Sequence, residues 1–64
     1  MSNIIDQWNE IKTLVESLEL DVAKNAAGNA SAGERARRGL RLLKTKSADL
    51  VKTTISEEKD RKEP

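Results

Sequence analysis

The chain has no cysteine, histidine, phenylalanine or tyrosine, and only one proline and one tryptophan among its 64 residues. Without cysteine there is no disulfide, and without cysteine or histidine the usual ligands of a structural zinc are missing. The two common supports of a very small domain are therefore absent. The same absences remove the usual nucleophile–base pairs of covalent catalysis, and the carboxylates form no cluster on an apolar background. No catalytic residue, metal, cofactor or small-molecule substrate is expected, and the chain does not read as an enzyme. Residues Met1 to Glu10 carry neither a basic region nor a long apolar run. No signal peptide and no membrane span are expected, and the cytoplasm is the default location.

What is present is aliphatic, helical and charged. The single Trp8 leaves Ile, Leu, Val and Ala to build a core. Chains of this size bury only about 60% of their unfolded surface, so a lone core is marginal and self-association is the remaining support. One domain spanning residues 1–64 is expected.

The net charge of +1 conceals a polarity along the chain. Residues 1–27 hold five acids against two lysines, a balance of −3. Residues 28–56 hold seven basic residues against Glu34 and Asp49, a balance of +5, and residues 57–64 hold four acids against three bases. Such asymmetry points to an interaction surface on one element.

The periodicity predicts two helices, about 3–27 and 31–57. In the first, Ile4, Trp8, Ile11, Val15, Leu18 and Val22 step by four and three, an apolar seam of heptad type. Ile5 and Leu14 flank this seam, Leu20 lies well off it, and Ser2 or Asn3 can cap the start. In the second, Ala32, Ala36, Gly39/Leu40, Leu43, Ser47, Leu50 and Thr54 share a smaller face. A connection of about 28–31 is too short for anything but antiparallel neighbours. Folding about Asn29 sets Trp8 against Leu50, Ile11 against Ser47, Val15 against Leu43, Leu18 against Leu40 and Val22 against Ala36. Large then meets small or medium at each layer, and Trp8 reads as a core residue. Gly39 costs about 1 kcal/mol in a helix relative to Ala, which close helix–helix packing would offset. Val51, Ile55 and Ile5 stay partly exposed in one hairpin, so the expected assembly is a dimeric or higher helical bundle. A charged tail at about 58–64, ending in proline, is expected to fray.

The turn itself carries local signals. Gly28 can take the left-handed conformation that ends a helix, and Asn29 tolerates it. Ser31 stands three residues before Glu34, the spacing of a capping box for the second helix. Gly28 and Gly33 have the glycine spacing of a phosphate-binding loop, but Glu34-Arg35 follows where Lys-Ser/Thr is required and no strand precedes it. That reading is rejected.

The chemistry that remains is cationic. At 100° per residue, Arg37, Arg41, Lys44 and Lys52 fall on one side of the second helix's apolar face, with Arg38 further round, and Arg35 and Lys46 lie on the other flank. Arginine suits phosphate because its planar fork donates two parallel hydrogen bonds. The competing reading is a solvated face partly neutralised by Glu16, Glu19 and Asp21 of the first helix. Residue physics alone leaves the two readings even.

Gly28-Asn29, then Ala32-Gly33-x-Arg35-Ala36-Arg37-Arg38, then Leu40 to Lys44 resemble the signature of bacterial linker-histone-like proteins, the family of the chlamydial DNA-condensing histone-like protein. The resemblance covers most of residues 8–56. It implies a small nucleoid-associated protein that binds double-stranded DNA and contributes to its compaction, with Arg35, Arg37, Arg38 and Lys44 at matching positions. The chlamydial members carry a long Lys/Arg/Ala tail, whereas this sequence has the mixed stretch Glu57 to Pro64, and Ser31 and Glu34 stand where basic residues are frequent. Weaker DNA affinity is expected in consequence. With no aromatic or amide-rich surface to read bases, binding is expected to be sequence-neutral, through phosphates contacted by Arg35, Arg37, Arg38, Arg41, Lys44, Lys46 and Lys52. The alternative is a helical oligomerisation or protein-interaction module without DNA binding.

Overall fold

A computed structural model describes residues 3–61 as two helices, α1 over Asn3–Ala26 and α2 over Ala30–Arg61. Among the described residues there is no strand. Ser2, offered as a cap for α1, and residues 62–64 of the charged tail lie outside the described residues. The second helix begins one residue earlier and ends four residues later than the periodicity predicts, so residues 58–61 are helical.

The turn between the helices is built from three residues. Gly28 has a φ of +106°, which L side chains rarely adopt. Its N–H donates to the Asn25 carbonyl at 2.9 Å, and the Asn29 N–H donates to the Lys24 carbonyl at 3.0 Å. This is the Schellman pairing that satisfies the last carbonyls of a helix. Asn29 then opens α2, because its Oδ1 accepts from the Ala32 N–H at 2.9 Å. The helix-opening cap is thus Asn29, and the capping box expected from Ser31 and Glu34 is displaced. Helix α2 starts at Ala30, which puts Ser31 inside its first turn. One residue closes the first helix and opens the second.

Close approach follows from what α2 places opposite α1. Ala32 is fully buried and Ala36 nearly so, at 4% exposure, and from α1 Ile11 and Leu18 are buried at 7% and 8%. Gly39 faces Leu18: a Cβ added there would overlap the leucine's methyl and lie only 3.0 Å from its Cγ. The glycine that weakens the helix locally is the notch that receives Leu18. Gly33 is equally confined by the side chain of Asn25. Along the axis, Asp21 meets Arg35, Leu18 meets Gly39 and Glu10 meets Lys46, within one or two residues of the expected pairing.

Rotation about the axis differs from expectation. The inward face of α1 comprises Ile4, Gln7, Ile11, Leu14, Leu18 and Asp21, all buried or half-buried, while Trp8, Val15 and Val22 are 47–48% exposed. Trp8 is therefore not a core residue. Two stripes of α1 share Ile4, Ile11 and Leu18, and the helix can turn either Gln7–Leu14–Asp21 or Trp8–Val15–Val22 inward. Seating Leu18 in the Gly39 notch and pairing Glu10 and Asp21 with Lys46 and Arg35 selects the first. One consequence is a strained polar atom: the side-chain Oε1 of Gln7 is buried without a hydrogen-bond partner.

Candidate nucleic-acid interface

The hairpin has two unlike edges. On one, Arg35 Nε donates to Asp21 Oδ1 at 3.1 Å and Lys46 Nζ donates to Glu10 Oε1 at 2.9 Å. These ion pairs close that edge, with a shallow depression beside them lined by Asp6, Asn9, Thr13, Leu14 and Ser17. On the other edge no ion pair joins the helices among the described residues. An open apolar groove lies there instead, lined by Val15, Leu18, Val22, Leu40 and Leu43, with Glu19 at its rim.

The seven cations expected to contact DNA divide accordingly. Arg35 and Lys46 sit on the closed edge and are engaged with α1 carboxylates. Arg37, Arg38, Arg41, Lys44 and Lys52 are all exposed, and none is joined to a carboxylate among the described residues. At 100° per residue these five form a belt of roughly 120° around the outer side of α2, and from Arg37 to Lys52 the belt runs roughly 22 Å. Glu34 stands just before its start and Asp49 just beyond its margin, on the side of the ion pairs. Arg41 and Lys52 lie opposite α1, Arg38 lies beyond them on the side away from the apolar groove, and Arg37 and Lys44 lie nearest the groove.

The engagement of Arg35 and Lys46 was legible only in hindsight of the register. Both pairs follow once the chain is folded about Asn29, because Asp21 and Glu10 fall on the same flank of α1 as the two cations do on α2. The apolar groove was missed for a different reason. Its members belong to the stripe that reads as the seam of α1, and sequence periodicity does not say which of two neighbouring stripes turns inward.

The belt can form charge-assisted hydrogen bonds with anionic oxygens. Among the described residues no group of carboxylates could hold a metal ion. No helix there is long and apolar enough to cross a membrane.

Comparison with known proteins gives one match. The family model described as histone H1-like protein Hc1 covers residues 5–60 of the chain. No curated protein and no solved structure is similar to it.

Proposed function

The chain belongs to the histone H1-like protein Hc1 family, a family of DNA-packaging proteins not known as enzymes, and on that premise we propose that it binds double-stranded DNA through phosphate contacts from the outer belt of α2. The observation that carries this reading is the division of the cations. Five of the seven are exposed on one side of one helix and have no carboxylate partner among the described residues, where a solvated, internally neutralised face would have paired them. Binding is sequence-neutral, because arginines and lysines on a helix exterior reach phosphate oxygens and the only aromatic side chain lies on α1. The two helices run antiparallel, the reading supported by the pairing of Asp21 with Arg35 and Glu10 with Lys46. Residues 1–64 act as one domain, in the nucleoid, and compaction comes from assemblies of hairpins that multiply the few contacts each makes.

Each phosphate contact releases counterions, so log affinity falls with log salt at about −0.9 per contact. Five cations bound this slope at about −4.5 per hairpin. A gel shift of the protein with random-sequence duplex at low ionic strength, repeated over a salt series, tests the proposal. A retarded complex with a steep salt dependence is expected. Absence of a complex at the lowest salt would overturn it and favour the second reading, a helical interaction module, for which the open apolar edge is the supporting observation.

A further inference from the structure

We infer that α1 has a second resting position on α2, reached by a roll about its own axis, and that the two ion pairs of the closed edge are a salt-sensitive latch between the positions. Nothing in this device requires DNA, since the basic belt lies on the far side of α2. As observed, α1 turns Ile4, Gln7, Ile11, Leu14, Leu18 and Asp21 toward α2 and leaves Trp8, Val15 and Val22 47–48% exposed. A roll of roughly 50°, half the angle between neighbouring helical residues, exchanges Gln7, Leu14 and Asp21 for Trp8, Val15 and Val22. Ile4, Ile11 and Leu18 belong to both sets and stay on the inward face.

Solvation and packing favour the rolled position. The side-chain Oε1 of Gln7, buried with no hydrogen-bond partner among the described residues, returns to water. The half-buried Asp21 does the same. One leucine is given up, and a tryptophan and two valines are covered in its place, so more apolar surface leaves water. The groove lined by Val15, Leu18, Val22, Leu40 and Leu43 is thereby closed from within the chain. Against this stand the seat of Leu18 beside Gly39 and the pairs Asp21–Arg35 and Glu10–Lys46, at 3.1 and 2.9 Å. Leu18 keeps to the inward face in either position, whereas the roll carries both carboxylates away from their cations. New charge contacts decide little: at the axial register of the hairpin Glu19 comes level with Arg37 and Lys12 with Lys44, one attractive and one repulsive neighbour. The latch is therefore the two ion pairs, each with one partner more than half in solvent. Salt weakens such pairs and leaves apolar contact intact.

The test reads Trp8, the only aromatic side chain, by fluorescence in the absence of DNA. As sodium chloride is raised from about 0.01 M to about 1 M, the Debye length falls from about 30 Å to about 3 Å. Over that range the parent's emission is expected to shift to shorter wavelength and to lose quenching by acrylamide, with helicity by circular dichroism unchanged. Glu10→Gln with Asp21→Asn removes the latch and should give the shifted emission already at low salt. Gln7→Met makes the observed inward stripe more apolar and should hold the emission at long wavelength throughout. Gln7 does not line the groove, so a shift caused by chains pairing across the groove would appear in this variant as in the parent. Parent emission that ignores salt, a double variant that matches the parent at low salt, a Gln7→Met chain that shifts like the parent, or a shift accompanied by loss of helicity would each overturn the inference. Failure of the DNA gel shift leaves this result untouched.

Discussion

The two edges of the hairpin use opposite means with the same helices. On one edge, Glu10–Lys46 and Asp21–Arg35 span the helices, each pair with one partner more than half in solvent. Such pairs contribute little to stability, but they fix which way α1 is rotated. On the other edge, Val15, Val22 and Leu40 are left half in water. The closed edge engages two cations in ion pairs. The open edge leaves a surface whose natural complement is apolar. Charge at one edge thus sets what is exposed at the other, and α2 can carry its basic belt outward because its inner face needs only alanine, glycine and a few leucines.

The comparison breaks most completely where the two edges share a support. Gly39→Leu should drive a side chain into Leu18 and separate the helices along both edges. A loss of about 3 kcal/mol is expected, seen as collapse of the thermal transition in circular dichroism. Gly39→Ala is the milder control, since its gain in helix propensity of about 1 kcal/mol partly offsets the overlap.

Trp8→Ala acts on the open edge alone. A fully buried tryptophan loses about 3–5 kcal/mol on truncation to alanine. Trp8 is 48% exposed, so about half of that is expected in the hairpin. The remainder of its effect should appear as weaker self-association, measured as a melting temperature that falls more steeply on dilution than the parent's.

The different legibility of these features in the sequence has a physical cause. Helix number, turn position and axial register were readable, because Gly28, Asn29 and the length of the apolar stripes constrain them locally. The role of Gly39 was readable too, since a glycine in mid-helix needs a reason. The rotation of α1 was not readable. Ile4, Ile11 and Leu18 serve either stripe equally, and the choice depends on the Gly39 notch and on ion pairs between residues distant in sequence. The same dependence hid the engagement of Arg35 and Lys46, whereas the common outward flank of Arg37, Arg38, Arg41, Lys44 and Lys52 follows from simple helical spacing. Asn29 was read only as a turn residue, though Asn is among the best helix caps.

Gln7→Met sharpens the comparison from inside. It replaces a buried, partnerless amide oxygen by an apolar side chain of similar length. A gain of about 1 kcal/mol is expected in urea denaturation, with no change in DNA binding.

The smallest effect on stability is expected at the closed edge. Glu10→Gln with Asp21→Asn should cost less than about 1 kcal/mol, because both pairs are exposed to solvent screening. Their effect on binding should be larger. Release of Arg35 and Lys46 adds two cations to those available to phosphate, so affinity for random duplex should rise and its salt dependence should steepen.

The central claim is that phosphates are contacted by the outer belt of α2, and the most direct measurement removes the two belt cations that face neither edge. Arg38→Gln with Lys52→Gln should leave helicity and association unchanged, because both side chains point into solvent. Fluorescence anisotropy of a labelled random duplex, titrated at several salt concentrations, should then show weaker binding and a salt slope shallower by about 1.8 per chain. An unchanged slope and affinity would place the DNA contact elsewhere on the molecule and contradict the account.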